Sequence, residues 1–255
     1  MESPEAFKLQ SAEKVYLSFA LIAENKGGHS SIPRVDNAIY DLVDALKRIE
    51  KYSFPISLNQ TTRATLEFAL NDANDSNAKR INSILNATES DLRLLEIDPE
   101  MNAMLRTTCV ATKLSGGHAE NALPVSASAT VNCRILPQSD PNDVFEKIKE
   151  LAGNKVSVSA ISDALLSPPS PITDEIIKLV SSAIHPSFPG LPLVPTMSTG
   201  ATDAIELRSN GIPVYGTSAM MTDPTGFRAH GLDERVEISA FNASLDFWYA
   251  LMKQL

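Results

Sequence analysis

The sequence predicts an α/β protein in two unequal parts. A ferredoxin-like βαββαβ unit with a helical insert comes first, and an αβαβα segment of open α/β type follows it. Three observations predict this. Residues 125–135 alternate strictly: Val125, Ala127, Ala129, Val131, Cys133 and Ile135 share one face, and Ser126, Ser128, Thr130, Asn132 and Arg134 the other. That period of two belongs to a half-buried strand. Ile39, Leu42, Val43, Leu46 and Ile49 recur instead at helical spacing. Ser167-Pro168-Pro169-Ser170-Pro171 reads as a linker, and the order of elements changes across it.

Taken in order, residues 1–12 read as a polar N-terminal tail, 13–165 as the first unit and 166–255 as the second. Val15 to Ala23 alternates as the first strand and runs into a loop, Glu24 to Pro33, that carries Gly27, Gly28 and His29. Asp36 opens a helix that continues to Lys51. Residues 53–102 break the rhythm with Pro55 and many Asn, Asp, Ser and Thr, and read as an inserted helical cap with helices at 79–85 and 90–95. Two strands, 104–114 and 125–135, flank a loop longer than the roughly two to five residues a tight hairpin needs. Asp140-Pro141 is an N-cap followed by proline at the first helical position, and that helix ends at Gly153. Lys155 to Ile161 is the fourth strand, completing an antiparallel sheet with helices on one face and an exposed edge. Beyond the linker, Thr173 caps a helix and Leu191 to Val194 forms a short apolar run. A helix over 201–210, a strand over 212–215 and a last helix over 239–253 complete the second unit. Two short strands are thin for a free-standing α/β domain, because parallel strands need neighbours and cover.

The 255 residues carry a formal net charge of −9, which disfavours a nucleic-acid partner because phosphate neutralisation needs a basic face. No run approaches the roughly 18 apolar residues of a membrane span, and the first residues lack the pattern of a secretory leader. The reading is a cytoplasmic protein with no membrane or nucleic-acid partner; Cys109 and Cys133, each inside a strand pattern, could lie near each other, but buried free thiols are the favoured reading.

Five positions stand out chemically. His29 follows a strand on a glycine-rich loop where backbone can approach a ligand, or is a simple loop histidine. Asn121 lies in the long Gly-rich loop and Arg134 on the polar face of a strand, which together read either as a ligand platform or as a decorated surface loop. Arg134 could also pair with an internal acid such as Glu120. Gly200-Ala201-Thr202-Asp203 opens a helix, where free N–H groups suit an anion; capping by Thr202 or Asp203 is compatible with that. His230, in Ala229-His230-Gly231-Leu232-Asp233-Glu234, could ligate a metal, act as a base or cap a helix. A metal needs three or four ligands, and no H-x-D, H-x-x-x-H or C-x-x-C pair is present.

Together these pieces resemble the M20 metallopeptidases, a family of carboxypeptidases, aminoacylases and related amide hydrolases. G-G-H-S-S-I-P at 27–33 resembles the family's lid histidine motif. N-A-L-P at 121–124, with Arg134 thirteen residues on, resembles its substrate-carboxylate pair. G-A-T-D at 200–203 and A-H-G-L-D-E-R-V at 229–236 resemble its closing motifs, and the insert at 53–102 is similar to that of the Gly-X carboxypeptidase branch. The resemblance implies a lid or dimerisation domain followed by the C-terminal part of a two-zinc catalytic domain, without the metal-binding N-terminal half. It implies His29 as the catalytic residue stabilising an oxyanion, typically across a homodimer. Asn121, Arg134 and Gly200 become substrate-binding residues, and His230 a metal ligand. The implied substrate is a small peptide or N-acyl amino acid with a free carboxylate, and the expectation is that this chain alone does not turn it over or retain zinc. The opposing reading is a non-catalytic dimerisation module that binds a small anion or a partner.

Overall fold

The computed structural model describes residues 6–71, 73–86, 99–220 and 231–255. Its centre is a four-stranded antiparallel sheet built from β2 (Val15–Glu24), β4 (Thr108–Gly116), β6 (Ser126–Ile135) and β7 (Val156–Ala160), in the order β4-β6-β2-β7. Counted by appearance in the chain, the sheet reads fourth-first-third-second from its β7 edge, the ferredoxin-like order the sequence predicts. The alternation in β2 and β6 decides which face is buried. Val15, Leu17, Phe19 and Leu21 meet Ala129, Val131, Cys133 and Ile135 beneath two helices, α1 (Ala38–Lys51) and α5 (Pro141–Ala152). Leu42, Ala45 and Ile49 of α1 and Val144 and Ile148 of α5 close this core. Asn37 caps α1 by accepting from the Ile39 N–H at 2.9 Å, and Asp140 caps α5 by accepting from the Asn142 N–H at 2.8 Å. Arg48 ties the two helices together, donating to the Leu151 and Ala152 carbonyls at the C-terminus of α5.

The insert contains three described helices, α2 (Gln60–Ala69), α3 (Asp75–Leu85) and α4 (Pro99–Leu105), packed around Leu66, Ile81, Ile84 and Leu105. The helix expected at 90–95 lies outside the described residues. The polar run Gln60 to Thr65 hides α2 in the sequence, yet Asn59 and Thr62 form a reciprocal capping box that starts it. Thr65 donates to the Pro195 carbonyl at 2.7 Å, so α2 braces the second unit as well as the first.

Four expectations need correction. Residues 7–12 are not a tail: β1 (Phe7–Glu13) pairs in parallel with β8 (Leu193–Ser198), and Phe7 and Leu9 are buried against Phe247 and Val180. The alternation there is too short to separate from a polar leader by pattern alone. Residues 212–215 are not a strand. Val214 spends its N–H on Ser170 and its carbonyl on Arg208, and Pro213 has no donor to offer a ladder. The helix expected from Ala201 starts later, as α7 (Ala204–Ser209), because the Thr202 N–H is held by Glu13. Cys109 and Cys133 are not free thiols; they stand directly opposite each other on β4 and β6 and form a disulfide. The remaining helices, α6 (Asp174–Ile184) and α8 (Ile238–Met252), cover the β1–β8 pair. No helix among the described residues is long and apolar enough to cross a membrane.

Candidate functional site

The sequence-predicted site residues fall at opposite ends of the four-stranded sheet. At the far end, β3 (Gly28–His29) pairs with β5 (Ala122–Leu123), and His29 stands opposite Ala122. The Ser30 N–H donates to the Asn121 carbonyl at 2.9 Å, so His29 and Asn121 belong to one local structure. The loop that presents them is tightly built. Gly27 has φ +70°, and a Cβ there would sit 2.8 Å from Val125 Cγ1, so only glycine fits. Asn25 and Arg34 both donate to Asp36, tying the two ends of the loop together. The Arg34 hydrogen bond holds the Asp36 carboxyl well below its ordinary range, at about 2.

His29 itself is exposed, and its Nδ1 accepts from the Ser31 N–H at 3.2 Å. A neutral ring accepting at Nδ1 carries its proton on Nε2. That Nε2–H has no partner among the described residues, so it can donate to a developing negative charge.

Arg134 lies at the other end. Eight residues of β6 separate it from Ser126, about 27 Å at strand rise. The structure therefore does not bring Asn121 and Arg134 together within one chain. Arg134 also makes no ion pair with Glu120 or with any other acid among the described residues. Its guanidinium carbon lies 4.7 Å from the centroid of the Tyr16 ring, on the sheet face away from the helices.

Beside this end lies the loop 198–203. Gly200 donates its N–H to Ser198 Oγ at 3.1 Å. The anion at the start of α7 is internal: Glu13 Oε2 accepts from the Thr202 N–H at 2.6 Å and from Thr202 Oγ1 at 2.7 Å. Glu13 Oε1 accepts from Ser167 Oγ at 3.1 Å and from Arg208 Nη1 at 3.0 Å. Both partners of this ion pair are buried, and Arg208 spends its other donors on Ser170 and Val214. Burial lowers the Arg208 pKa from its ordinary value, and Glu13 opposes that shift. One carboxylate thus fixes the linker, the 198–203 loop and the 212–215 segment.

Sequence reasoning missed Glu13, Lys14, Thr108 and Arg208. Glu13-Lys14 sits inside a polar stretch, and Arg208 follows Leu207 on a short helix; neither context signals burial. His118 is exposed. His185 is the C-cap of α6, its Nε2 3.3 Å from the Leu191 carbonyl oxygen. His230 lies outside the described residues, and among those that are described no three His, Cys, Asp or Glu cluster closely enough to hold a metal.

Comparison with known proteins fits this architecture. The chain is 28% identical over 244 residues to a probable carboxypeptidase S-like 2 of Dictyostelium discoideum, covering 94% of this chain and 47% of that protein. It is 28% identical over 251 residues to the human N-fatty-acyl-amino acid synthase/hydrolase PM20D1, covering 95% and 49%. It therefore spans about half the length of these relatives. Among solved structures, it superposes on an M20 family metallo-carboxypeptidase, Sso-CP2 of Sulfolobus solfataricus, with a TM-score of 0.66 at 18% identity, over 97% of this chain and 60% of that one. The dipeptidase Dug1p of Saccharomyces cerevisiae gives 0.63 at 14% identity, over 98% and 56%. The family model of the peptidase dimerisation domain matches residues 11–158, more than half of the sequence and all of the ferredoxin-like sheet except the last two residues of β7. With that match over more than half of the sequence, the chain belongs to the M20 family of metallopeptidases.

Proposed function

We propose that this chain carries the lid and the C-terminal part of an amide hydrolase whose substrate, a small peptide or N-acyl amino acid, ends in a free carboxylate. In this reading Arg134 binds the carboxylate through its planar fork, and Asn121 adds an amide donor. The 198–203 loop, with Gly200, borders the Arg134 end. His29 donates its Nε2–H to the oxygen that becomes negative as the amide carbonyl is attacked. The observation that supports the reading is that His29 and Asn121 lie at one end of the sheet and Arg134 at the other. A small substrate cannot bridge about 27 Å within one chain, so His29 and Asn121 are read as serving the Arg134 site of a second copy. Strand β4 leaves one edge of its ladder unpaired, and Tyr40 and Val43 of α1 are exposed beside it; together they suit a closed two-fold homodimer.

The family resemblance brings zinc with it, with His230 as the matching ligand. The described residues do not furnish a donor set for a zinc pair. In this reading the described residues supply binding and orientation of the substrate, and turnover is not assigned to them. The relatives' names, carboxypeptidase and N-fatty-acyl-amino acid hydrolase, describe reactions on molecules with a free carboxylate, which supports the choice of substrate class.

The test is a titration of the chain with N-acetyl-L-leucine and with N-acetyl-L-leucinamide, followed by NMR. Millimolar binding of the acid, not the amide, with shifts around residue 134 and loss in Arg134→Ala, is expected. Equal response to acid and amide would overturn the carboxylate assignment and leave a dimerisation module as the better description.

A further inference from the structure

Lys14 is the single residue between β1 and β2, and its whole side chain is buried. Its backbone N–H donates to the Ser198 carbonyl at 3.1 Å, which places it where the β1–β8 pair meets the four-stranded sheet. An ammonium carries three donors and is costly to bury unpaired. Here the only acceptor among the described residues is the Thr108 hydroxyl, at 3.3 Å from Nζ. Thr108 stands directly opposite Arg134 in the β4–β6 register, and Tyr16 stands opposite Arg134 on β2. Lys14, Thr108, Arg134 and Tyr16 therefore gather at one end of the sheet's open face. Neither cation pairs with a carboxylate among the described residues.

A fold does not need this arrangement. A buried methionine or leucine would fill the Lys14 position without the desolvation cost, and two neighbouring cations repel. The hydroxyl geometry points the same way. Thr108 Oγ1 accepts from the ammonium, which leaves its own O–H to donate, and it has no other partner among the described residues. A guanidinium and a hydroxyl donor thus stand side by side on adjacent strands, with a positive charge behind the hydroxyl.

We propose that Thr108 and Lys14 complete the anion site of Arg134. The carboxylate of the ligand is held by the Arg134 fork and the Thr108 hydroxyl, and the buried Lys14 ammonium strengthens that hold from behind Thr108. The inference rests on the reading of Arg134 as the carboxylate-binding residue and adds two residues to it. Burial, and then the charge of Arg134, pull the Lys14 pKa down to about 7. Arg134 on β6 and the Tyr16 phenol on β2 are the charged or titratable groups facing it, and Thr108 on β4 is neutral. An arriving carboxylate favours the charged form of Lys14, so binding tightens as pH falls from about 8.5 to about 6.

The experiment titrates N-acetyl-L-leucine and its amide into the wild-type chain and into Arg134→Ala, Thr108→Val, Lys14→Met and Lys14→Arg, at several pH values, with thermal melting of each. Lys14→Met is expected to weaken binding of the acid about tenfold and to flatten its pH dependence, while melting at the same temperature or higher. Thr108→Val, nearly isosteric, is expected to weaken binding several-fold with little change in melting. Lys14→Arg is expected to restore affinity without the pH dependence. Wild-type affinity and pH dependence in Lys14→Met or in Thr108→Val, with binding still lost in Arg134→Ala, would overturn this inference and leave the Arg134 assignment standing. Acid and amide binding alike in the wild type, or Arg134→Ala binding normally, would remove both. Should Lys14→Met fail to fold, Thr108→Val and the pH profile of Lys14→Arg decide the matter.

Discussion

Removing Arg208 tests whether the Glu13 ion pair holds the two units in register. Arg208→Met keeps the length and apolar stem of the side chain and deletes its charge. Glu13, with none of its surface exposed, would retain Ser167 and the two Thr202 donors but lose its only cationic partner among the described residues. The Val214 carbonyl would lose the Arg208 donors at 2.6 and 3.2 Å as well. Breaking one side of a buried ion pair typically costs about 3–5 kcal/mol, because it strands a charge in a medium that solvates it poorly. At roughly 2–4 °C per kcal/mol for a chain of this size, the melting temperature should fall by about 6–20 °C.

The double variant Glu13→Leu with Arg208→Met separates that stranded charge from the worth of the pair. Apolar replacement of a whole buried pair is often neutral or stabilising, so the double variant should lose much less than the sum of the two single variants. The coupling read from that cycle should exceed about 2 kcal/mol. Stability recovered in this way should not restore the loop. Thr202 would still lack its acceptor, and its amide should exchange with solvent faster than in the wild type. Urea denaturation of the four proteins, with amide exchange at Thr202, checks both points. An Arg208→Met protein within 1 kcal/mol of wild type would refute the reasoning, and so would full additivity.

Three further outcomes are expected. The Cys109–Cys133 bridge closes a sequence separation of 24 residues, worth about 3 kcal/mol by chain entropy; denaturation with and without reductant measures it, and two titratable thiols in the unreduced, unfolded chain would disprove the bridge. Lys14 has a folded-state pKa lowered to about 7 against about 10.4 unfolded, so between these values the unfolded chain holds the extra proton and stability rises with pH. Urea unfolding at pH 7 and at about pH 9.5 should show that rise in the wild type, much reduced in Lys14→Met; equal rises in the two proteins would count against it. Light scattering at micromolar concentration should give twice the 27.6 kDa of the chain, with Leu114→Asp, on the exposed edge strand, shifting it to monomer; a wild-type monomer would remove the trans-site reading.

The periodic parts of this molecule were legible in its sequence, because alternation and helical spacing report directly on which face is buried. The four strands of the main sheet, both of its helices and their caps at Asn37 and Asp140 follow from such patterns or lie within a few residues of them. What the patterns lack is any record of distance between elements. Asn121 and Arg134 look like neighbours because thirteen residues separate them, yet most of that interval is an extended strand, which carries them apart. Lys14 and Thr108 are 94 residues apart and meet within hydrogen-bonding distance. Cys109 and Cys133 look like independent core residues until the β4–β6 register sets them opposite each other. Glu13 and Lys14 read as the polar end of a tail, because burial of a charge leaves no mark on local composition; only the partner's position reveals it. The same pair separates two roles by a single step along the chain. Glu13, with four donors around its carboxylate, is saturated from within and can only organise the fold. Lys14, with one hydroxyl among the described residues for its three donors, is not, and an incompletely paired charge beside Arg134 is where a ligand can still gain binding energy.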